Sequence, residues 1–281
     1  MIELEKKTNK KMSRTVKVLL SILLLIVIAI ISLIIYEVAT AKNTYYINEK
    51  DLQIPIFVYH DIVATKEDIQ YDYMQTDVLT FENQIDKLMK LGYRPISYED
   101  LVNYKEGKIK IPKHSFLITF DDGYMGIYKY AFKIAKERNI PMTSFAIDDK
   151  VGEAGYYNWE QAKEMHYDGN ISIYSHGLEH IEYDKVSPQE LVESTNIAYE
   201  KLKNKLKDDN LLKVFTYPYG LYTEEDVIAL GNEGYIQNLT DNKINRSRTL
   251  DLKRLHRCYP LDDSALKILL KIEYRTIKYR T

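Results

Sequence analysis

Short apolar runs alternate with amphipathic stretches along most of this chain, and this alternation restricts the fold more than any other feature. The runs lie at residues 54–59, 93–96, 115–120, 143–147, 171–174, 213–217 and 235–238. Between them, apolar residues recur at helical spacing at 81–89, 127–138 and 188–206, and residues 263–274 carry a broad apolar stripe typical of a closing helix. The alternation predicts mainly parallel strands joined by helices, in a barrel or a doubly wound sheet.

The amino-terminal region predicts a membrane segment. Residues 18–36 are nineteen consecutive residues without a charge, and six lysine and arginine residues precede them. Such a stretch is long enough to cross a bilayer, and its basic side is expected to stay in the cytoplasm. The alternative is a cleavable signal peptide, because Ala39-Thr-Ala41 resembles a cleavage site, although the apolar run is longer than a usual signal core. We favour a retained anchor, and either alternative exports the rest of the chain.

Length and composition fit one enzyme domain behind this segment. We expect a basic cytoplasmic segment at 1–17, a transmembrane anchor at 18–36, a stem at 37–53 and a catalytic domain at 54–281. The last part is long enough to bury the core of one β/α barrel. The net charge of −2 gives no indication of a nucleic-acid partner. Cys258 is the only cysteine, so the chain cannot form an intramolecular disulfide.

Two polar motifs follow two of the apolar runs. Asp121 and Asp122 follow residues 115–120, and His176 and His180 follow residues 171–174. Because α/β folds place their chemistry at the carboxyl ends of strands, both motifs are expected at one rim. If the chain turns helically after the second run, the two imidazoles lie on one face and can bind one ion. Two histidines and one carboxylate leave positions open for water and substrate, which is typical of a catalytic metal site.

The two adjacent carboxylates suggest two different roles. Successive side chains of an extended strand point to opposite faces, so one aspartate can bind a cation while the other takes a proton. Spacing alone does not say which is which. Each motif also has an ordinary interpretation, since Asp-Asp-Gly is common in turns and two histidines at helical spacing often lie on a solvated face. We favour the functional interpretation because both motifs follow predicted strands.

Three motifs in this order resemble those of the polysaccharide deacetylases, also called carbohydrate esterase family 4 or the NodB homology domain. They are Thr119-Phe-Asp-Asp-Gly123, His176-Gly-Leu-Glu-His180 and Phe215-Thr-Tyr-Pro-Tyr-Gly220. Within the family the chain is most similar to the poly-N-acetylglucosamine deacetylases of biofilm systems, because of Ile54-Pro-Ile-Phe-Val-Tyr-His60 and Tyr217-Pro-Tyr-Gly220. The resemblance implies an α/β fold, an incomplete (β/α) barrel of about seven mainly parallel strands, here preceded by one transmembrane helix.

The resemblance also implies how the metal and the base are divided. Asp122, His176 and His180 are expected to hold a divalent metal, and imidazole and carboxylate ligands favour Zn²⁺. Asp121 is expected to accept the proton of the attacking water. This order, with the first aspartate as base and the second as ligand, comes from the family's motif.

Three further site residues and one alternative follow from the resemblance. The backbone N–H of Tyr219, in the turn that contains Pro218, is the implied donor to the oxyanion. His60 is the expected general acid because it ends the first strand, at the same rim as the metal motifs. His256, in Arg254-Leu-His-Arg257, is the alternative acid, since many family members carry their acid in a late Leu-x-x-His motif.

Thr216 departs from the family's pattern, and Trp159 has two possible roles. The family's third motif usually opens with an arginine that orients the catalytic aspartate, and Thr216 stands there in this chain. The base is therefore expected to need another partner or to be less well oriented. Trp159 stands where related enzymes have a tryptophan ahead of a helix, and it can form a groove wall for the acetyl methyl group or pack a helix on the barrel.

The resulting prediction is a metal-dependent extracellular hydrolase, held in the cell membrane by a single span or secreted if cleavage follows Ala41. It would remove N-acetyl groups from the N-acetylglucosamine units of a surface polysaccharide, with poly-β-1,6-N-acetylglucosamine as the first expectation. Peptidoglycan is the alternative substrate, and a non-catalytic glycan-binding relative is the alternative class of protein. A polysaccharide synthase is a further expected partner, in a complex with this protein. No nucleic-acid partner is expected.

Overall fold

The computed structural model describes residues 13–41, 45–46, 52–71, 73–168, 170–260 and 264–278. Its strands are β1 Tyr45–Tyr46, β2 Gln53–Ile54, β3 Ile56–Tyr59, β4 Asp61–Val63, β5 Gln75–Asp77, β6 Arg94–Pro95, β7 Ile111–Pro112, β8 Ser115–Phe120, β9 Met142–Ala146, β10 Ile171–Ser175, β11 Val214–Thr216, β12 Ile236–Leu239, β13 Asn245–Arg246 and β14 Leu255–His256. Its helices are α1 Arg14–Ala41, α2 Val78–Lys90, α3 Tyr98–Lys105, α4 Phe132–Arg138, α5 Trp159–Tyr167, α6 Pro188–Leu206, α7 Glu224–Asn232 and α8 Ala265–Lys278.

Seven parallel strands form a nearly closed barrel, which confirms the predicted architecture. Their order around the barrel is β3, β8, β9, β10, β11, β12 and β14, and every pairing along this path is parallel. The ring closes just beyond β14, where the Val58 N–H donates to the Cys258 carbonyl at 3.0 Å and the Cys258 N–H donates to the Ile56 carbonyl at 2.9 Å. The carboxyl ends of all seven strands therefore meet at one rim.

Local sequence explains the elements that define this rim. All six residues of β8 are buried, as expected for a strand covered by the barrel interior on one face and by helices on the other. Helix α6 begins where a sequence signal predicts it, because the Ser187 side chain accepts from the Glu190 N–H and Glu190 caps Ser187 in return. Pro188 occupies the first turn, where a missing N–H does no harm.

The seventh strand of the barrel differs from the predicted one. The apolar run at 93–96 forms only the two-residue strand β6, which pairs with β8 beside the ring. Its place in the ring is taken by β14, which pairs with β12. A two-residue strand is too short to produce a periodic pattern, so β14 could not be predicted from local sequence.

Helix α1 stands apart from the core. Arg14–Leu33 is long and apolar enough to cross a membrane, and apolar side chains such as Leu19 and Leu25 are 61% and 66% exposed. A core helix of a soluble domain would bury one face. This helix therefore fits either a membrane anchor or a signal sequence, and it begins before and ends after the predicted span 18–36.

The strand that follows α1 joins the barrel domain at a defined end. Strand β1 pairs antiparallel with β7, with Tyr45 opposite Pro112 and Tyr46 opposite Ile111. Strand β7 lies immediately before β8 in the chain. The β1 strand is therefore attached near the amino-terminal end of β8, whereas Asp121 lies at its carboxyl end.

Candidate active site

The polar motifs meet in one pocket at the carboxyl ends of the barrel strands. The pocket has a volume of about 440 Å³. It is lined by residues that follow β3, β4, β8, β10, β11, β12 and β14, namely His60, Tyr71, Tyr73, Met74, Asp121, Asp122, Tyr124, His176, His180, Tyr217, Tyr219, Gly220, Thr240 and Tyr259. The expectation that both motifs lie at one rim agrees with this arrangement.

The two aspartates reach the same pocket because the strand does not stay extended. Asp122 has a φ of 71°, a left-handed conformation that non-glycine residues adopt rarely. This turn directs both carboxylates into the pocket rather than to opposite faces of a strand. Their different partners, rather than strand alternation, separate their roles.

Asp122 and the two histidines have the geometry of a metal site. Asp122 Oδ1 lies 3.3 Å from His176 Nε2 and 3.4 Å from His180 Nε2. Ligand atoms at about 2.0–2.1 Å from a tetrahedral ion are separated by about 3.3–3.4 Å, so both distances fit a shared Zn²⁺. Asp122 Oδ1 is also buried and accepts no hydrogen bond, which is costly unless a cation occupies the site. The three residues therefore fit a divalent metal.

The orientation of His176 is fixed by a backbone carbonyl. His176 Nδ1 lies 2.9 Å from the Thr216 carbonyl oxygen, which can only accept a hydrogen bond. The proton is therefore on Nδ1, and the lone pair of Nε2 is directed toward Asp122 and His180. The His180 ring packs against the Tyr219 ring, with ring centroids 4.2 Å apart.

The histidines converge although the chain does not turn helically after β10. The chain bends after β10, and Gly177 has a φ of +95°. A Cβ at this glycine would lie 2.9 Å from Tyr183 Oη and 3.1 Å from the Glu179 carbonyl oxygen. The tight, left-handed bend brings the two rings to a centroid distance of 5.2 Å.

We expect Gly177→Ala to lower metal affinity and to destabilise the fold by about 1–3 kcal/mol, because the new methyl group strains the bend between the two ligands. Zinc competition with a chromogenic chelator and urea unfolding measure the two effects. Gly152→Ala is the matched control, because Gly152 has the same φ of +95° with no atom within 4 Å of the added Cβ. Equal metal affinities of the two variants would contradict the role assigned to this bend.

Asp121 is held by a buried arginine that the sequence did not predict. Arg257 Nη1 and Nη2 donate to the two carboxylate oxygens of Asp121 at 2.7 and 2.8 Å. The same guanidinium donates to Thr240 Oγ1 at 2.8 Å, and its side chain is 1% exposed. Burial acts to raise the pKa of Asp121, but the charge of Arg257, followed by that of His176, outweighs burial and lowers the pKa to about 2.

Arg257 supplies the partner that Thr216 cannot. The prediction that the aspartate needs another partner agrees with this pairing, and the partner comes from the end of β14 instead of β11. The available signal was an arginine between the apolar residues Leu255 and Cys258, both of which are buried. A charged side chain within such a run is expected to have a buried partner.

His60 lies beside both carboxylates. It follows β3, lines the pocket and stacks on Tyr259, with the ring planes 6° from parallel. Burial lowers the pKa of His60 below its ordinary value, although the nearby charges of Asp121 and Asp122 oppose this shift.

Of the other predicted site residues, Tyr219 lines the pocket, whereas His256 and Trp159 do not. Tyr219 lines the pocket in a left-handed conformation with a φ of 58°, and Pro218 is buried beneath it. His256 does not line the pocket, because its Nδ1 bonds to Asp241 Oδ2 at 2.8 Å. Trp159 also lies outside the pocket, packed against the core with Lys205 Nζ 5.9 Å from its ring centroid, which favours the packing role.

Comparison with known proteins identifies the family. A family model described as polysaccharide deacetylase matches residues 108–235. The Bacillus subtilis protein YxkH, named as a polysaccharide deacetylase, is 30% identical over 212 residues, covering 74% of this chain and 72% of that protein. The chain belongs to the polysaccharide deacetylase family. It is therefore a hydrolase that acts as an N-deacetylase, and the metal dependence of this family agrees with the Asp-His-His cluster.

One further relative and two solved structures are also similar to this chain. The poly-β-1,6-N-acetyl-D-glucosamine N-deacetylase of Staphylococcus epidermidis is 27% identical over 210 residues, covering 70% of each chain. The structure of IcaB from Ammonifex degensii superposes with a TM-score of 0.68 at 25% identity, covering 80% of this chain and 98% of that one. A deacetylase from Streptococcus pyogenes has the same fold, with a TM-score of 0.71 at 24% identity, covering 79% and 99%.

Proposed function

We propose that this polysaccharide deacetylase hydrolyses the N-acetyl groups of a poly-β-1,6-N-acetylglucosamine outside the cell, with Zn²⁺ held by Asp122, His176 and His180. The observation that carries the proposal is the division between the adjacent carboxylates. Asp122 faces two imidazoles at distances typical of tetrahedral ligands, whereas Asp121 faces a guanidinium. Asp122 is thereby suited to bind a cation, whereas Arg257 holds Asp121 ionised and oriented, which is the state in which a carboxylate can accept a proton.

Groups of the protein itself carry out the proton transfers and stabilise the oxyanion. When bound, the ion supplies Lewis-acid chemistry that acidifies a water and polarises the acetyl carbonyl. Asp121 accepts the proton of the attacking water, and its pKa of about 2 keeps it ionised at any working pH. The backbone N–H of Tyr219 donates to the developing oxyanion. His60, in its imidazolium form, then gives its proton to the departing amine, and the charges of Asp121 and Asp122 favour that form.

Replacing His60 by alanine should lower kcat for the acetamide about 100-fold, because a general acid contributes about 10²–10⁴-fold. An aryl acetate ester should lose less, since a phenolate leaves without protonation. His256→Ala is the matched control and should retain its rate, because His256 bonds to Asp241 away from the pocket. The reverse ranking of the two variants would assign the acid to His256.

The proposed substrate is supported by the staphylococcal relative, whose name states its polymer. The test measures acetate released from poly-β-1,6-N-acetylglucosamine and from peptidoglycan, before and after removal of metal with a chelator and after zinc is restored. We expect release from the first polymer, its loss on chelation and its recovery with zinc. Acetate release from peptidoglycan alone would mean that peptidoglycan is the substrate instead. Acetate release that is unchanged by the chelator would mean that the reaction does not need a metal.

We further propose the division into cytoplasmic segment, anchor, stem and exported catalytic domain, with α1 retained in the membrane. The exposed apolar surface of α1 and the basic residues before it support this orientation. In intact cells, an external protease should digest the catalytic domain while an amino-terminal epitope stays protected in the membrane fraction. A mature chain that begins after Ala41 would contradict the anchor, and co-purification with a polysaccharide synthase would test the expected complex.

A further inference from the structure

A second pocket, which shares no lining residue with the active site, has a basic lining. Its volume is about 280 Å³, and it is lined by Tyr104, Lys105, Ser247 and Arg248. Each of these four side chains can donate a hydrogen bond, two of them are cations, and none of the four is an acid. Pockets for larger organic ligands usually measure about 300–1,000 Å³, so this pocket suits a small anion.

The Tyr104 hydroxyl is an unusual part of this lining. Tyr104 is 1% exposed, and its hydroxyl forms no hydrogen bond with any described residue. Buried polar groups are nearly always paired, because an unpaired one costs free energy. Asp122 Oδ1 has the same property in the proposed metal site. The unpaired hydroxyl therefore indicates that a ligand with a hydrogen-bond acceptor occupies the second pocket.

The second pocket lies where barrel strands begin, at the end opposite to the active site. The Ser247 N–H donates to the Leu52 carbonyl at 2.9 Å, and Ser247 Oγ accepts from the Leu52 N–H at 2.8 Å. Leu52 directly precedes β2, which leads into β3. Lys105 Nζ donates to the carbonyl of Leu250, in the segment that leads into β14. Strands β3 and β14 therefore begin beside this pocket, whereas their carboxyl ends face the active site.

The strand that follows α1 is attached to the domain at this same end. Strand β1 pairs with β7, which leads into β8. Helix α3 ends at Lys105, and only residues 106–110 separate it from β7. The basic pocket and the attachment of the tether are therefore neighbours on the end of the barrel that begins its strands.

The two cations of the second pocket can be reached from solvent. Lys105 and Arg248 are exposed. The bond to the Leu250 carbonyl uses one of the three N–H groups of the Lys105 ammonium, and the planar guanidinium of Arg248 suits paired phosphate oxygens. The acid next to Lys105 in the chain, Glu106, forms an ion pair with Lys108 at 2.5 Å instead. This charge pattern favours a phosphate group as the ligand.

We propose that the second pocket binds the phosphate group of an anionic membrane lipid. This inference rests on the proposed retention of α1 in the membrane, because the bilayer then lies next to the end of the domain where the tether attaches. A lipid phosphate held by Lys105, Arg248 and the Tyr104 hydroxyl gives the domain a second attachment beside its tether. Two attachments fix how the domain stands on the membrane, which one tether cannot do.

The test measures binding of dihexanoyl phosphatidylglycerol to the full-length, zinc-loaded enzyme in an uncharged detergent, by phosphorus NMR. We expect saturable binding, and about tenfold weaker binding of dihexanoyl phosphatidylcholine, whose choline cancels the phosphate charge. Lys105→Gln/Arg248→Gln should weaken binding of the first lipid about tenfold or more, because it removes two charge-assisted hydrogen bonds. Glycerol phosphate, the soluble source of the same group, should bind more weakly than the lipid.

Tyr104→Phe separates a ligand-binding hydroxyl from a structural one. The substitution keeps the ring and removes an oxygen that has no partner among the described residues, so Tm should not fall. Binding of dihexanoyl phosphatidylglycerol should weaken about fivefold, because one hydrogen bond to the phosphate is lost. A lower Tm with unchanged binding, or unchanged binding alone, would overturn the inference.

Lys87→Gln/Lys90→Gln is the matched control for the double variant. It removes two exposed charges from the last turn of α2, which ends shortly before β6 and thus at the same end of the barrel, outside the pocket. An equal loss in this control would mean general charge attraction, and glycerol phosphate that binds as tightly as the lipid would mean a soluble ligand; each overturns the inference. A mature chain that begins after Ala41 would instead overturn the anchor on which it rests.

Discussion

Asp121→Asn is expected to lower kcat about 1000-fold while the enzyme keeps its metal, because the substitution removes the base and leaves all three ligands in place. The amide has nearly the same shape and can still accept a hydrogen bond from Arg257, so the structure should be retained, at a cost in stability because the buried guanidinium loses its counter-charge. Acetate release under saturating substrate measures the rate, and elemental analysis measures zinc per chain.

The neighbouring substitution Asp122→Asn separates the two roles. It should lower both the zinc content and the rate, since it weakens a ligand instead of the base. The assignment of roles fails if Asp121→Asn loses zinc, or if it retains more than about a tenth of the wild-type kcat.

Arg257→Met is expected to destabilise the enzyme by about 3–5 kcal/mol, because it leaves the buried Asp121 carboxylate without a partner. Without the guanidinium, the largest influence that lowers the pKa of Asp121 is gone while burial still raises it, so this pKa should move up from about 2. A base must be ionised, so the variant should lose activity as the pH falls through this raised pKa, whereas the wild type should show no such limb from Asp121. Urea unfolding and the pH dependence of kcat measure the two effects.

Two further variants test the origin of this destabilisation. Asp121→Asn/Arg257→Met removes both charges and should regain most of the lost stability, although it stays inactive. Arg257→Lys keeps the charge but cannot donate to both carboxylate oxygens, so an intermediate stability is expected. A loss below about 1 kcal/mol in Arg257→Met would mean that the pair does not hold the carboxylate.

Local signals predicted the fold where they were complete. Helix α6 was predicted at its observed bounds because a cap, a proline and a long apolar stripe agree, and β8 was predicted as observed because six buried residues form an unbroken run. Helix α7 was missed although Thr223 and Asp226 form a capping box, since its nine residues follow a turn that resembles a loop. Strand β14 is defined by its pairing with β12, which no local pattern reports.

The candidate site could likewise be predicted from the sequence only in part. The metal-ligand cluster could be predicted because its residues come shortly after two recognisable strands, β8 and β10. Arg257 could not, because its pairing with Asp121 joins two residues 136 positions apart through barrel closure. Tyr71 and Tyr73 gave no signal either, since 25 tyrosines are spread over the chain and only tertiary structure places these two at the pocket.

The pairing of β1 with β7 has a consequence for where the enzyme works. Strand β8 is six residues long, about 20 Å, and it separates the tether's point of attachment from the reacting groups. If α1 is held in the bilayer, as proposed, the tether would reach the domain at the end opposite to the pocket, and the pocket would open away from the lipid headgroups. Glycan that lies flat against the bilayer would stay beneath its reach, so the enzyme would act on strands that have already grown clear of the cell surface.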